Sequence, residues 1–168
     1  MNLPTTFNPI SYTGEVEEAA RAAGWTVRHL SPTEKSHIET LLTLGRFDAS
    51  MMLHEDYEGI GAYLNELNDR LDPGLGAKII AAMGLHVPID LSPEIEEGAA
   101  RGGVISRRDL IAKLGRLEDR PEWPEATYLT VHHTDVSYTI ETPKPFPIEA
   151  RVKAHIAAVE TLMNALKG

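Results

Sequence analysis

Cysteine is absent from the 168 residues, which removes disulfides, thiolate metal sites and cysteine nucleophiles together. That absence is most natural in a reducing compartment, so the expected location is the cytoplasm. Long apolar runs are missing as well: none approaches the roughly 20 residues needed to cross a bilayer. The opening MNLPTTFNPISYTGEVEE lacks the basic and apolar stretches of an export signal, and no membrane partner is expected. Positive charge is scarce, with 16 Lys and Arg against 25 Asp and Glu, a net charge of -9. A nucleic-acid backbone would be repelled, and the small basic cluster of Arg101, Arg107 and Arg108 cannot reverse that. A small phosphate held in a local pocket remains compatible with the charge.

What is present suits one globular domain, with 42% hydrophobic and 24% charged residues. A chain of this length buries enough surface to fold without staples, so stability requires no cofactor and none is invoked. In the first ninety residues a helix, a glycine and an extended apolar segment recur. Val16, Ala19, Ala20 and Ala23 share a helical face that ends at Gly24, and WTVRHL then alternates as a strand does. Ser31, Pro32 and Glu34 open a second helix, which carries Ile38, Leu41 and Leu42, stops at Gly45 and leads into the short apolar run FDASMML. Residues 57–84 read as a helix broken near Asp72-Pro73-Gly74, followed by the strand LHVPIDL.

Strands separated by helices pair in parallel through right-handed crossovers, and LPTTF adds a first strand whose Pro4 suits a strand start. The expected fold is α/β: a small Rossmann-like parallel sheet flanked by helices over residues 1–95, with a strand and helix extension over 96–168 packed on it as one domain. The extension contains the helix RRDLIAKLGRL, the connector EDRPEWPEA, a long strand TYLTVHHTDVSYTIE, and a final helix with Ile148, Val152, Ile156, Val159, Leu162, Met163 and Leu166 at helical spacing. More than one apolar stripe on that helix favours a homo-oligomer. Trp123, between prolines, reads as a packing anchor.

Ligands of parallel sheets bind beyond the carboxyl ends of the strands, and the richest loop there is HEDYEGIG, residues 54–61. It offers three carboxylates, and its glycines allow close approach of a sugar or phosphate to backbone amides. Acids also gather at helix N-termini simply because the dipole favours them. His29-Leu30-Ser31 and His132-His133-Thr134 match the short motif of two-histidine phosphoesterases, a pattern too brief to identify one. Adjacent strand residues face opposite ways, so His132, His133 and Asp135 do not make a metal site, and no metal is expected.

The Asn8-Pro9 turn, EVEEAARAAGWTV, FDASMML and GAKIIAAMGLHVPIDL together resemble the nucleoside 2-deoxyribosyltransferase-like family over roughly the first 95 residues. The resemblance implies hydrolysis or transfer at the N-glycosidic bond of a nucleoside or nucleotide, with a glutamate attacking the sugar. The family's Gly-x-x-x-Glu spacing falls on Tyr63 after Gly59 and on Lys78 after Gly74. Neither can attack, so Glu66, one helical turn beyond Tyr63, becomes the expected nucleophile, with Asp56 as its acidic partner. Asn8, Tyr12, His54, Glu58, Gly59 and Gly61 are the expected substrate contacts. The other expectation is a non-catalytic nucleotide-binding or assembly protein on the same fold.

Overall fold

The computed structural model describes residues 4–7, 18, 21–22, 26–29, 45–68, 74–107 and 125–167. Contacts divide the chain into two compact units, Met1–Phe47 and Asp48–Gly168. In the first, β1 (Pro4–Phe7) pairs in parallel with β2 (Thr26–His29), in register from Pro4 opposite Thr26 to Phe7 opposite His29. Glu18, Arg21 and Ala22 between them are helical, as a parallel pair needs a crossover. Pro4 occupies the first strand position, where its missing N–H costs least.

The second unit is built on a six-stranded sheet. Its strands are β3 (Ser50–Asp56), β4 (Tyr63–Asn68), β5 (Glu94–Ile95), β6 (Gly98–Arg101), β7 (Val104–Ser106) and β8 (Val136–Pro143). Its helices are α1 (Leu75–Met83), α2 (Glu125–His132) and α3 (Ile148–Lys167). The strand order is β3-β8-β4-β7-β6-β5, so the last strand in sequence lies between the first two of this sheet. β3 with β8 and β4 with β7 are parallel, whereas β8 with β4 and the β5-β6-β7 hairpins are antiparallel. The chain is thus an α/β protein with parallel pairs and helices packed on its sheet, as its helix and strand alternation leads one to expect.

Side chains alternate between two faces along each strand. One face carries Leu64, Val104, Tyr138 and Ile140, and closes against Leu75, Ile79, Ile80 and Met83 of α1 and Ala154, Ala158 and Leu162 of α3. This is the main core. On the other face a smaller cluster joins Tyr63, Ile95 and Ile105, with Ala100 against them. α2 packs on β8, β3 and β4.

Three expected elements differ. Tyr63–Asn68 is a strand, not part of a helix. Its residues are buried on both faces, so period-two alternation is erased, and the apolar positions 63, 64 and 67 satisfy a helical spacing equally well. Residues 127–132, expected as the start of a long strand, belong instead to the helix Glu125–His132, with Glu125 in its first turn, where the dipole favours a carboxylate. The strand proper begins after Thr134, whose hydroxyl takes the Val136 N–H at 3.1 Å and shapes the corner. LHVPIDL does not form a full strand: Ile89 alone bridges Ala62, because Pro88 has no N–H to extend a ladder. The helices expected at 32–44 and beyond Arg107, and Trp123 in the connector, lie outside the described residues.

Candidate functional site

The register sets His54, Glu141 and Tyr63 side by side on β3, β8 and β4. Their side chains share the face opposite the main core. His54 Nδ1 lies 3.1 Å from Glu141 Oε1, with the imidazole half exposed and the carboxylate nearly buried. The hydrogen bond to Glu141 raises the His54 pKa, and partial burial opposes it. Burial raises the Glu141 pKa in turn, and His54 opposes that. Each group therefore favours a proton shared between them. With Nδ1 engaged, Nε2 is the nitrogen left to a ligand or to water.

Tyr63 donates its hydroxyl to Asp56 Oδ2 at 3.0 Å, while Asp56 Oδ1 accepts the Glu58 N–H at 2.9 Å. Burial first, and the Glu96 carboxylate second, push the Tyr63 phenol far above its ordinary value, so it stays a donor. Two residues along the same face, Asn65 donates to Glu96 Oε2 at 3.1 Å and accepts from Arg107 Nε at 3.0 Å.

Of the residues expected to act, the structure brings His54 and Asp56 to this face and sends Glu66 to the other. Glu66 is three positions from Tyr63 on one strand, which places it on the core side. It is buried there, accepts from the Tyr138 hydroxyl at 3.4 Å, and lies against Gly76 in the first turn of α1. That turn stabilises a negative charge, so Glu66 is held within the fold. Asp56 and Glu66 therefore share no cavity, and the expected nucleophile and acid are separated by the sheet itself. Glu58 is exposed and contributes its backbone N–H. Gly59 makes room for the Asp56 carboxylate, because a Cβ there would lie 2.7 Å from Oδ2. Gly61 is required by chain crossing: a Cβ would lie 2.3 Å from the Asp90 nitrogen. Asn8 and Tyr12 lie outside the described residues.

Sequence reasoning missed Glu141, Tyr63 as a donor, and the Asn65, Glu96 and Arg107 group. One signal was available: in VSYTIET, Glu141 follows Ser137 and Thr139 on a single strand face, and a carboxylate inside a strand calls for a partner.

No protein-family model matches the chain, and no curated protein matches it significantly. Solved structures do share its fold. A candidate metallopeptidase from Shewanella amazonensis has a TM-score of 0.59 and 24% identity, covering 77% of this chain and 44% of its own. One from Shewanella baltica has a TM-score of 0.59 at 20% identity, with the same coverage. Another from Shewanella denitrificans has a TM-score of 0.57 at 20% identity, covering 76% of this chain and 44% of its own. This chain spans less than half the length of these neighbours, and at such identities the likeness establishes the fold. None is described as acting on a nucleoside. Their description points to peptide bonds, and with Glu66 on the wrong face the expectation of N-glycosidic chemistry is overturned.

The neighbours' description implies a metal. Among the described residues, no three His, Cys, Asp or Glu side chains are placed to hold one. His54 and Glu141 engage each other, and both Asp56 oxygens have donors. The described donor set does not fit a metal centre. No helix among the described residues is long and apolar enough to cross a membrane.

Proposed function

We propose that this chain acts on polypeptide, cleaving or engaging it at the sheet face that bears His54 and Glu141. The observation that carries the reading is the pair itself: a half-exposed imidazole fixed through Nδ1 by a nearly buried carboxylate, with no hydrogen bond to its other nitrogen among the described residues. The fold shared with candidate metallopeptidases supports a peptide over other substrates.

Such a pair supplies general acid–base chemistry. Neutral His54 takes a proton from water as the water oxygen bonds to the amide carbonyl carbon, and Glu141 stabilises the imidazolium. The same proton then passes to the amide nitrogen as the C–N bond breaks, leaving a carboxylic acid and an amine. Base catalysis needs the neutral imidazole, so the rate rises as pH climbs through the raised His54 pKa.

The test is to incubate the full chain with an unfolded polypeptide, with and without added divalent ions, and to count new amino termini. The reading expects their appearance and a loss of at least about 100-fold in His54→Gln. No new termini under any of these conditions, together with no binding of the polypeptide, would remove it.

A further inference from the structure

Two tight hairpins join β5 to β6 and β6 to β7. The second turns on Gly102 and Gly103, with φ of 58° and 81°. The first turns on Glu96 and Glu97, with φ of 48° and 57°. Left-handed backbone at both central residues matches the twist of the flanking strands. Glycine adopts it without penalty, whereas a residue with a Cβ meets its own carbonyl. The same sheet therefore uses the relaxed solution in one hairpin and a strained one in the next.

Strain of this kind persists where the surroundings hold it, and here they do. Asn65 Nδ2 donates to Glu96 Oε2 at 3.1 Å, and Arg107 fixes Asn65 through a 3.0 Å bond while its Nη2 reaches the Glu96 carbonyl at 3.5 Å. Asn65 lies two residues from Tyr63 on one strand, so both project from the His54 face. The Glu96 side chain is thus drawn back over that face, although the residue is exposed.

We propose that Glu96 is a positioning residue of this site, a carboxylate held over the sheet by a strained turn so that its charge bears on the His54–Glu141 pair. The proposal rests on reading that pair as the acid–base centre. The charged groups facing His54 are Glu141 on β8, Glu125 at the start of α2, and Glu96. His155 of α3 also senses the His54 charge. Those facing Glu141 are His54, Glu96 and Asp56. Glu96 favours the protonated imidazole in the first set and the protonated carboxyl in the second, so it helps the pair hold a proton. A Gly-Gly turn at this place would hold the hairpin equally well and supply no charge.

The test follows the His54 imidazole by NMR titration in the full chain, which requires no activity. In Glu96→Gln and in Glu96→Asn, a residue better tolerated in left-handed backbone, the His54 midpoint should move down from wild type. In Glu97→Gly the midpoint should stay, while the melting temperature rises. An unchanged midpoint in both Glu96 variants overturns the proposal. So does an equal shift in Glu97→Gly, which would mark a conformational effect rather than one of charge. A shift with neither peptide hydrolysis nor polypeptide binding sinks the polypeptide reading alone; hydrolysis without a shift sinks the role of Glu96 alone.

Discussion

The two faces of the six-stranded sheet carry the same classes of residue to opposite ends. On the core face, Glu66, Asn68 and Tyr138 are buried together, Asn68 donating to the Tyr138 hydroxyl at 3.1 Å. His155 is fully buried there with Nε2 3.1 Å from Thr142 Oγ1, and Arg151 pairs with Glu55 nearby. On the other face, His54 keeps half its surface in solvent and meets a carboxylate. Similar functional groups are locked into buried contacts on the core face, whereas His54 on the other face keeps access to solvent. The two histidines show it most clearly, since burial and Arg151 push His155 down to about 4 while Glu141 raises His54.

The largest effect that sharpens this comparison is in packing. Ile140→Ala, on the core face of β8, should cost about 2–5 kcal/mol in unfolding free energy. Thr139→Ala, its neighbour on the other face, should cost under about 1 kcal/mol. Urea titration of both variants checks the contrast, and equal losses would mean that the faces are not distinct. The next effect is functional: His54→Gln should abolish most of the proposed activity while shifting stability by less than about 1 kcal/mol, because the half-exposed imidazole is screened by solvent.

Opposite pH slopes separate the faces further. His54 is raised, so its stabilisation is complete below the unfolded value of 6.5 and is lost as pH rises through the folded value. Glu141, raised from 4.5, works in the same direction. His155 is lowered to about 4, so its contribution is present above 6.5 and is lost as pH falls toward that value. Melting temperatures from pH 4 to pH 9 should therefore decline at both ends. His54→Gln should flatten the alkaline limb alone, and flattening of the acid limb instead would reverse the assignment. The smallest effect is Glu97→Gly, which should stabilise by at most about 1 kcal/mol through relief of left-handed strain.

Much of the architecture was legible in local patterns. β1, β2, α3 and the first half of β3 follow from alternation, glycine stops and a sustained helical period, whereas His54, Glu55 and Asp56, expected in a loop, extend β3. β4 was not, because a strand buried on both faces loses the alternation that identifies it. α2 was not, because its Thr, Tyr and Val content favours strand until packing overrides propensity. The site was legible only by halves. His54 and Asp56 stood in a loop-like run rich in acids, but the partner that makes His54 chemical is Glu141, 87 residues away. That pairing depends on β8 inserting between β3 and β4, a non-local register that leaves no trace in residue spacing.

The most direct measurement is the titration of the His54 imidazole in the wild-type chain and in Glu141→Gln. A wild-type midpoint above 6.5 that drops when Glu141 loses its charge is the predicted result. A midpoint at or below 6.5, indifferent to Glu141, would mean that no acid–base pair spans β3 and β8.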